Sequence, residues 1–129
     1  MSTPTISRVD FVPIPTQDVD RATAFYRDTL GLAESEHTAG KPFTEFDLAG
    51  TTLNIWDPST ADREFNANAN PVALHTDDVH AMRAHLEDKG VAFFGPTLDT
   101  GVCHMAFFAD PDGNALMLHG RYAPRGVVT

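Results

Sequence analysis

The feature that most constrains this chain is an internal repeat. The segment Asp18-Val19-Asp20-Arg21-Ala22-Thr23-Ala24-Phe25-Tyr26-Arg27-Asp28 returns in pattern sixty residues later as Asp78-Val79-His80-Ala81-Met82-Arg83-Ala84-His85-Leu86-Glu87-Asp88. Each copy opens on an aspartate suited to cap a helix N-terminus and is followed by a glycine suited to a left-handed C-cap, Gly31 and Gly90. Apolar residues at Val19, Ala22, Phe25 and Tyr26, and at Val79, Met82 and Leu86, recur at three- and four-residue spacing. Each copy therefore predicts one helix with one buried stripe, and each stripe needs a sheet to cover. Strand candidates stand upstream at Val9 to Ile14 and Val72 to Thr76. Others follow at Phe43 to Leu48, Thr52 to Trp56, Val91 to Phe94 and Val102 to Ala109. The order strand, helix, strands holds in both halves.

The last strands repeat as well, Gly50-Thr51-Thr52-Leu53-Asn54-Ile55-Trp56 matching Gly113-Asn114-Ala115-Leu116-Met117-Leu118-His119. Residues 59 to 70, polar and rich in alanine and asparagine, read as a linker, and Ala123 to Thr129 as a loose tail. A chain of 129 residues suits one domain made of two small modules, and a hydrophobic content of 42% is enough for a core. The net charge of −9 opposes binding to nucleic acid or to anionic membrane, and it reads first as a solubilising surface. One cysteine, Cys103, makes no intrachain disulfide. Met1 to Pro15 lacks a basic segment followed by an apolar run, and no apolar stretch approaches the ~20 residues of a membrane span, so a cytoplasmic protein is expected.

The turn signal Asp110-Pro111-Asp112-Gly113-Asn114 predicts a hairpin. Pairing Ala109 with Asn114 places Phe107, Leu116, Met105 and Leu118 on one face, expected beneath the helix. The opposite, open face then carries Phe108, Ala115, Ala106, Met117, and His104 directly across from His119. A slip of one residue would reverse this sorting. In the first half Leu53 and Ile55 are expected under the helix, with Asn54 and Trp56 open. Phe11 and Pro13 share the open face, as do Ala73 and His75 in the second copy.

Three elements in order are Asp18-Val19 with Phe25-Tyr26-Arg27-Asp28-Thr29-Leu30-Gly31-Leu32, Asp78-Val79 with Leu86 and Gly90-Val91, and Phe107-Phe108-Ala109-Asp110-Pro111-Asp112-Gly113-Asn114. Together they resemble the vicinal-oxygen-chelate (glyoxalase/bleomycin-resistance/dioxygenase) superfamily over nearly the whole chain. The resemblance implies an α+β fold of two duplicated βαβββ modules, about residues 5–58 and 71–122, with curved mixed sheets around a cavity, often in a homodimer. It also implies four metal-ligand positions, on the first and last strand of each module. Seven residues before each capping aspartate, and on the last strands, these positions hold Phe11, Pro71, Asn54 and Met117. Phenylalanine and proline have no side-chain donor, asparagine is weak, and methionine prefers soft metals, so no metal and no cofactor is expected there.

What remains is an apolar and aromatic lining, Phe11, Trp56, Phe108 and Met117, with Asn54 and the histidines His75, His104 and His119. Such a lining suits a small organic ligand. Trp56 offers a flat stacking face, or else a core residue at the sheet rim. The three histidines offer a displaced metal site, a general base, or contacts to a ligand. His37, His80 and His85 read as surface residues, and Cys103 as a small buried hydrophobe. The expected function is metal-independent binding of a small molecule, an antibiotic or metabolite. The alternative is a metal-dependent lyase or isomerase, or a ring-cleaving dioxygenase, using the displaced histidines.

Overall fold

A computed structural model describes residues 3–35 and 41–126, in two compact units, Met1–Phe65 and Asn66–Thr129. The loop expected at Glu34 to Lys41 lies largely outside the described residues, as do His37 and the end of the tail. The fold is α+β, with one α-helix and one mixed sheet in each unit among the described residues.

In the first unit, β1 (Phe11–Pro15) leads to α1 (Val19–Ala24), which continues as a π-helical turn over Phe25–Thr29. The Asp18 side chain caps α1 by accepting from the Arg21 amide at 3.1 Å. The π turn was not expected. It places the Leu30 amide on the Phe25 carbonyl at 3.0 Å, one residue beyond α-helical spacing, and buries Tyr26 completely against Phe46. β2 (Phe43–Leu48) and β3 (Thr51–Trp56) complete a sheet of order β1-β3-β2, in which β1 runs parallel to β3. Glu34 makes an isolated bridge to Phe46 where the module's further strand is expected. Ile14, Phe46, Leu53 and Ile55 are buried with Ala22 and Tyr26, so the helix face of this sheet is the predicted one.

The second unit repeats the plan with β4 (Val72–His75), α2 (Val79–Asp88), β5 (Phe93–Asp99), β6 (Cys103–Ala109) and β7 (Ala115–Arg121), in the order β4-β7-β6-β5. The repeat reaches individual bonds. The Thr16 amide donates to the Trp56 carbonyl at 2.8 Å, and the Thr76 amide to that of His119 at 3.0 Å. Asp78 caps α2 through the Ala81 amide at 3.0 Å, and Gly31 and Gly90 both take the left-handed conformation expected of them. β5 runs further than expected, with an irregularity between Phe94 and Leu98 where Gly95 and Pro96 interrupt the ladder.

The hairpin register differs from the expected one by a single residue. Ala109 pairs with Ala115, Phe108 with Leu116, Phe107 with Met117, Ala106 with Leu118, Met105 with His119, and His104 with Gly120. Ala106, Phe108, Leu116 and Leu118 therefore form the buried face beneath α2, while Met105, Phe107, Met117 and His119 lie on the other side. Asn114 belongs to the turn and not to the ladder. Its Oδ1 accepts from the Asn68 amide at 2.8 Å, and the Asn68 carbonyl accepts from the Ala115 amide at 2.8 Å. This bond to a segment 46 residues away fixes where the ladder starts.

Candidate functional site

Each unit presents one sheet face away from its helix. In the first unit, register and alternation put Phe11, Pro13 and Pro15 of β1, Thr52, Asn54 and Trp56 of β3, and Phe43, Glu45 and Asp47 of β2 on this face. Phe11 is 54% exposed, and Asn54 and Trp56 are half-buried. Two neighbours were missed by sequence reasoning. Phe43 pairs with Trp56 and Glu45 with Asn54, and the alternation along Phe43 to Leu48 was the signal available for both.

In the second unit the corresponding face holds Ala73 and His75 of β4, Met117 and His119 of β7, Met105 and Phe107 of β6, and Phe94 of β5. His75 and His119 are register partners on parallel strands, as the repeat predicts. Phe94 is 64% exposed, so this face, apolar apart from His75 and His119, is uncovered within its own unit. His104 and Phe108 leave the expected set. Phe108 is 1% exposed and packs on the Phe93 ring at 5.1 Å, and His104 lies across from Gly120 on the α2 side. The expected juxtaposition of His104 with His119 is thus lost, while that of His75 with His119 remains. The physical reason is the one-residue register difference, which turns every β6 side chain to the opposite face.

His75 Nε2 lies 2.9 Å from Asp77 Oδ1, both groups exposed. Among the described residues no group of three or more His, Cys, Asp or Glu side chains is arranged to hold a metal ion. The positions at which the superfamily places metal ligands do not fit a divalent ion. Phe11 and Asn54 share a face, and Met117 lies beside Ala73, but Phe and Pro have nothing to donate. A shallow cleft of about 490 Å³ lies elsewhere in the second unit, lined by Thr76, Asp77, Asp78, Ala81, Met82 and His85, and it contains none of the expected ligand-binding residues.

On the α2 side, four residues that sit far apart in sequence meet. The His80 and His104 ring centroids are 4.7 Å apart, and those of His104 and Tyr122 are 4.9 Å apart. The Tyr122 hydroxyl donates to Asp99 Oδ1 at 2.7 Å, and His104 Nε2 faces Asp99 Oδ2 at 3.5 Å. The Tyr122 hydroxyl, then the Gly101 amide, hold the Asp99 carboxyl below its ordinary value, with His104 adding to the effect. The same bond to Asp99 raises the Tyr122 hydroxyl. A depressed carboxyl stabilises the fold above its unfolded value near 4 and loses this as pH falls through the depressed value. A raised phenol stabilises below its unfolded value near 10 and loses this as pH rises through the elevated one. The melting-temperature difference between wild type and Tyr122→Phe is therefore expected to be largest between about pH 5 and 9 and to shrink at both ends. It is small throughout because the groups are exposed. Thermal melts across pH check this, and a difference that grew below pH 4 would contradict it.

No helix among the described residues is long and apolar enough to cross a membrane. The model of the Glyoxalase/Bleomycin resistance protein/Dioxygenase superfamily matches residues 8–118. Among solved structures, the chain is similar to TnmS3, an antibiotic binding protein from Streptomyces sp. CB03234, with 30% identity over 92% of this chain and 99% of that one, at a TM-score of 0.76. A glyoxalase/bleomycin resistance protein/dioxygenase from Nocardioides matches at a TM-score of 0.77 and 18% identity, covering 98% and 93% of the two chains. Lactoylglutathione lyase from Agrobacterium tumefaciens matches at 0.76 and 20% identity, covering 90% and 95%. No curated protein matches the chain. The duplicated strand–helix–strand plan, the family match over residues 8–118 and these similarities place the chain in the Glyoxalase/Bleomycin resistance protein/Dioxygenase superfamily.

Proposed function

We propose that the chain is a metal-independent small-molecule binding protein that sequesters an antibiotic or metabolite, acting in the cytoplasm as a homodimer. Phe11, Asn54, Trp56, His75, Met117 and His119 contact the ligand in this reading. The observation that carries it is the donor chemistry of the family's ligand positions: Phe11, Asn54, Pro71 and Met117 there offer a divalent ion no strong oxygen or nitrogen donor, while Phe11, Trp56 and Met117 offer an organic ligand apolar and aromatic surface. The 30% identity to an antibiotic binding protein supports the same reading. The similarity to lactoylglutathione lyase, at 20% identity, carries the fold alone. The displaced three-histidine metal site of the enzyme alternative loses His104 to the α2 side, so no observation favours that alternative.

The test is a thermal-shift screen of antibiotics and aromatic metabolites in the presence of a chelator, followed by calorimetry on any hit. Trp56→Ala is expected to weaken binding at least tenfold, about 1.4 kcal/mol, as loss of an aromatic anchor does. Tyr122→Phe, on the other side of its sheet, is expected to leave it unchanged. Ligand shifts that appear only on adding a divalent metal, or an affinity indifferent to both Trp56→Ala and His119→Ala, would remove the proposal.

A further inference from the structure

The cluster of His80, His104, Asp99 and Tyr122 belongs to one copy of the repeat only. Asp20 stands where His80 does, and the pairings of Phe43 with Trp56 and Met105 with His119 place Pro42 where His104 does. The fold is built in the first unit without these side chains, so the architecture does not require them in the second.

We propose that His80 and His104 together hold a borderline divalent transition-metal ion, of the zinc or nickel class, through one imidazole nitrogen each, with water in the remaining positions. The spacing fits. Two imidazoles on one tetrahedral ion, at metal–nitrogen distances of about 2.0–2.1 Å, hold their ring centroids roughly 5 Å apart. The observed separation is 4.7 Å, with the rings tilted by 60° and not stacked face to face. His104 turns Nε2 toward Asp99 Oδ2 at 3.5 Å, which leaves Nδ1 as its metal-binding atom. A carboxylate behind a ligating imidazole fixes its tautomer and orientation and makes it a better donor. Asp99 is itself held, by the Tyr122 hydroxyl at 2.7 Å and the Gly101 amide at 2.9 Å.

The His104 side chain is 27% exposed and His80 is exposed, so an ion reaches the pair from solvent. Imidazole donors select zinc, nickel or copper over the hard ions calcium and magnesium. The N-terminal partial charge of α2 works against a cation beside His80, and the capping carboxylate of Asp78 together with Asp99 offsets it. Two protein donors with open positions make a reversible site, in contrast to the four-ligand sites that hold a fold together. This site lies on the α2 side of the sheet and does not rest on the ligand-binding reading above.

Protein dialysed against chelator is titrated with zinc and with nickel at pH 7.5 by calorimetry, with circular dichroism melts on every variant. One ion per chain is expected. His80→Ala and His104→Gln are each expected to weaken binding tenfold or more, and glutamine retains a donor toward Asp99 so that the second variant stays folded. Tyr122→Phe, which removes a positioning bond, is expected to weaken binding about tenfold at unchanged stoichiometry. His119→Ala is expected to leave it unchanged. Absence of stoichiometric binding by the wild type, full affinity in both His80→Ala and His104→Gln, or loss of the ion on His119→Ala overturns the proposal. Organic ligand binding measured in chelator is unaffected by either outcome, so the two readings fail separately.

Discussion

Replacing Phe108 by alanine is expected to destabilise the protein by about 3–5 kcal/mol, the usual effect of emptying a buried aromatic site. Phe107→Ala is expected to cost about 1 kcal/mol or less, within the range of partly exposed positions. The two residues are adjacent and chemically identical, so the contrast isolates their environments. Phe108 is 1% exposed, packs on Phe93 at 5.1 Å and is paired with the fully buried Leu116. Phe107 faces away from α2, beside Met117 and the exposed Phe94. Urea unfolding of both variants measures the difference. The opposite ranking would restore the register in which Ala109 pairs with Asn114 and would return Phe108 to the ligand-binding face.

Asn114→Ala is expected to cost about 3 kcal/mol, because hydrogen bonds to a charged group are worth about 1.5–3 kcal/mol and the half-buried Asn68 amide loses its acceptor as well. Asn114 is 1% exposed and Asp110 6%. The Asn114 Nδ2 donates to Asp110 Oδ2 at 2.8 Å, while Asp110 Oδ1 accepts the amides of Asp112 and Asn114, each at 2.9 Å. Truncation takes one donor from a buried carboxylate and one acceptor from the Asn68 amide. For a chain of this size the melting temperature is expected to fall by roughly 10 °C. A fall of only a degree or two would mean that the turn is held by its backbone bonds alone. Because Asn114 also ties Asn68 to the start of β7, hydrogen exchange at the Ala115 amide is expected to rise in this variant along with the loss of stability.

The parts of the fold legible in the sequence are those set by local chemistry repeated twice. Asp18 and Asp78 announce helix starts because a short acceptor side chain meets unpaired amides wherever a helix begins. Gly31 and Gly90 announce helix ends because the left-handed conformation excludes most side chains. The faces of β1, β3, β4 and β7 also follow from alternation, and with them the open positions of Phe11, Asn54, Trp56, His75, Met117 and His119. β6 resists this reading because it is apolar on both sides. Met105 and Phe107 compete with Ala106 and Phe108, so period-two alternation gives no preference, and the register decides.

The π turn over Phe25–Thr29 and the cluster on α2 were not legible for a related reason. The turn depends on burying Tyr26 against Phe46, 20 positions on, and the cluster on α2, β5 and the residue after β7 converging on His104 of β6. His80 reads as a surface residue because its own helix gives it nothing to touch. Its partner comes from β6.

Local chemistry and its repetition thus determined the order of elements, their caps and the superfamily, and they put Phe11, Asn54, Pro71 and Met117 at the positions where the resemblance implies metal ligands. Only the tertiary structure decided which side of β6 is buried, because Asn114, whose Oδ1 accepts from the Asn68 amide, is held in the turn and the ladder starts one residue later at Ala115. In a sheet with a two-residue side-chain period, that single residue exchanges core for surface. It moved His104 from the expected ligand face to the company of His80.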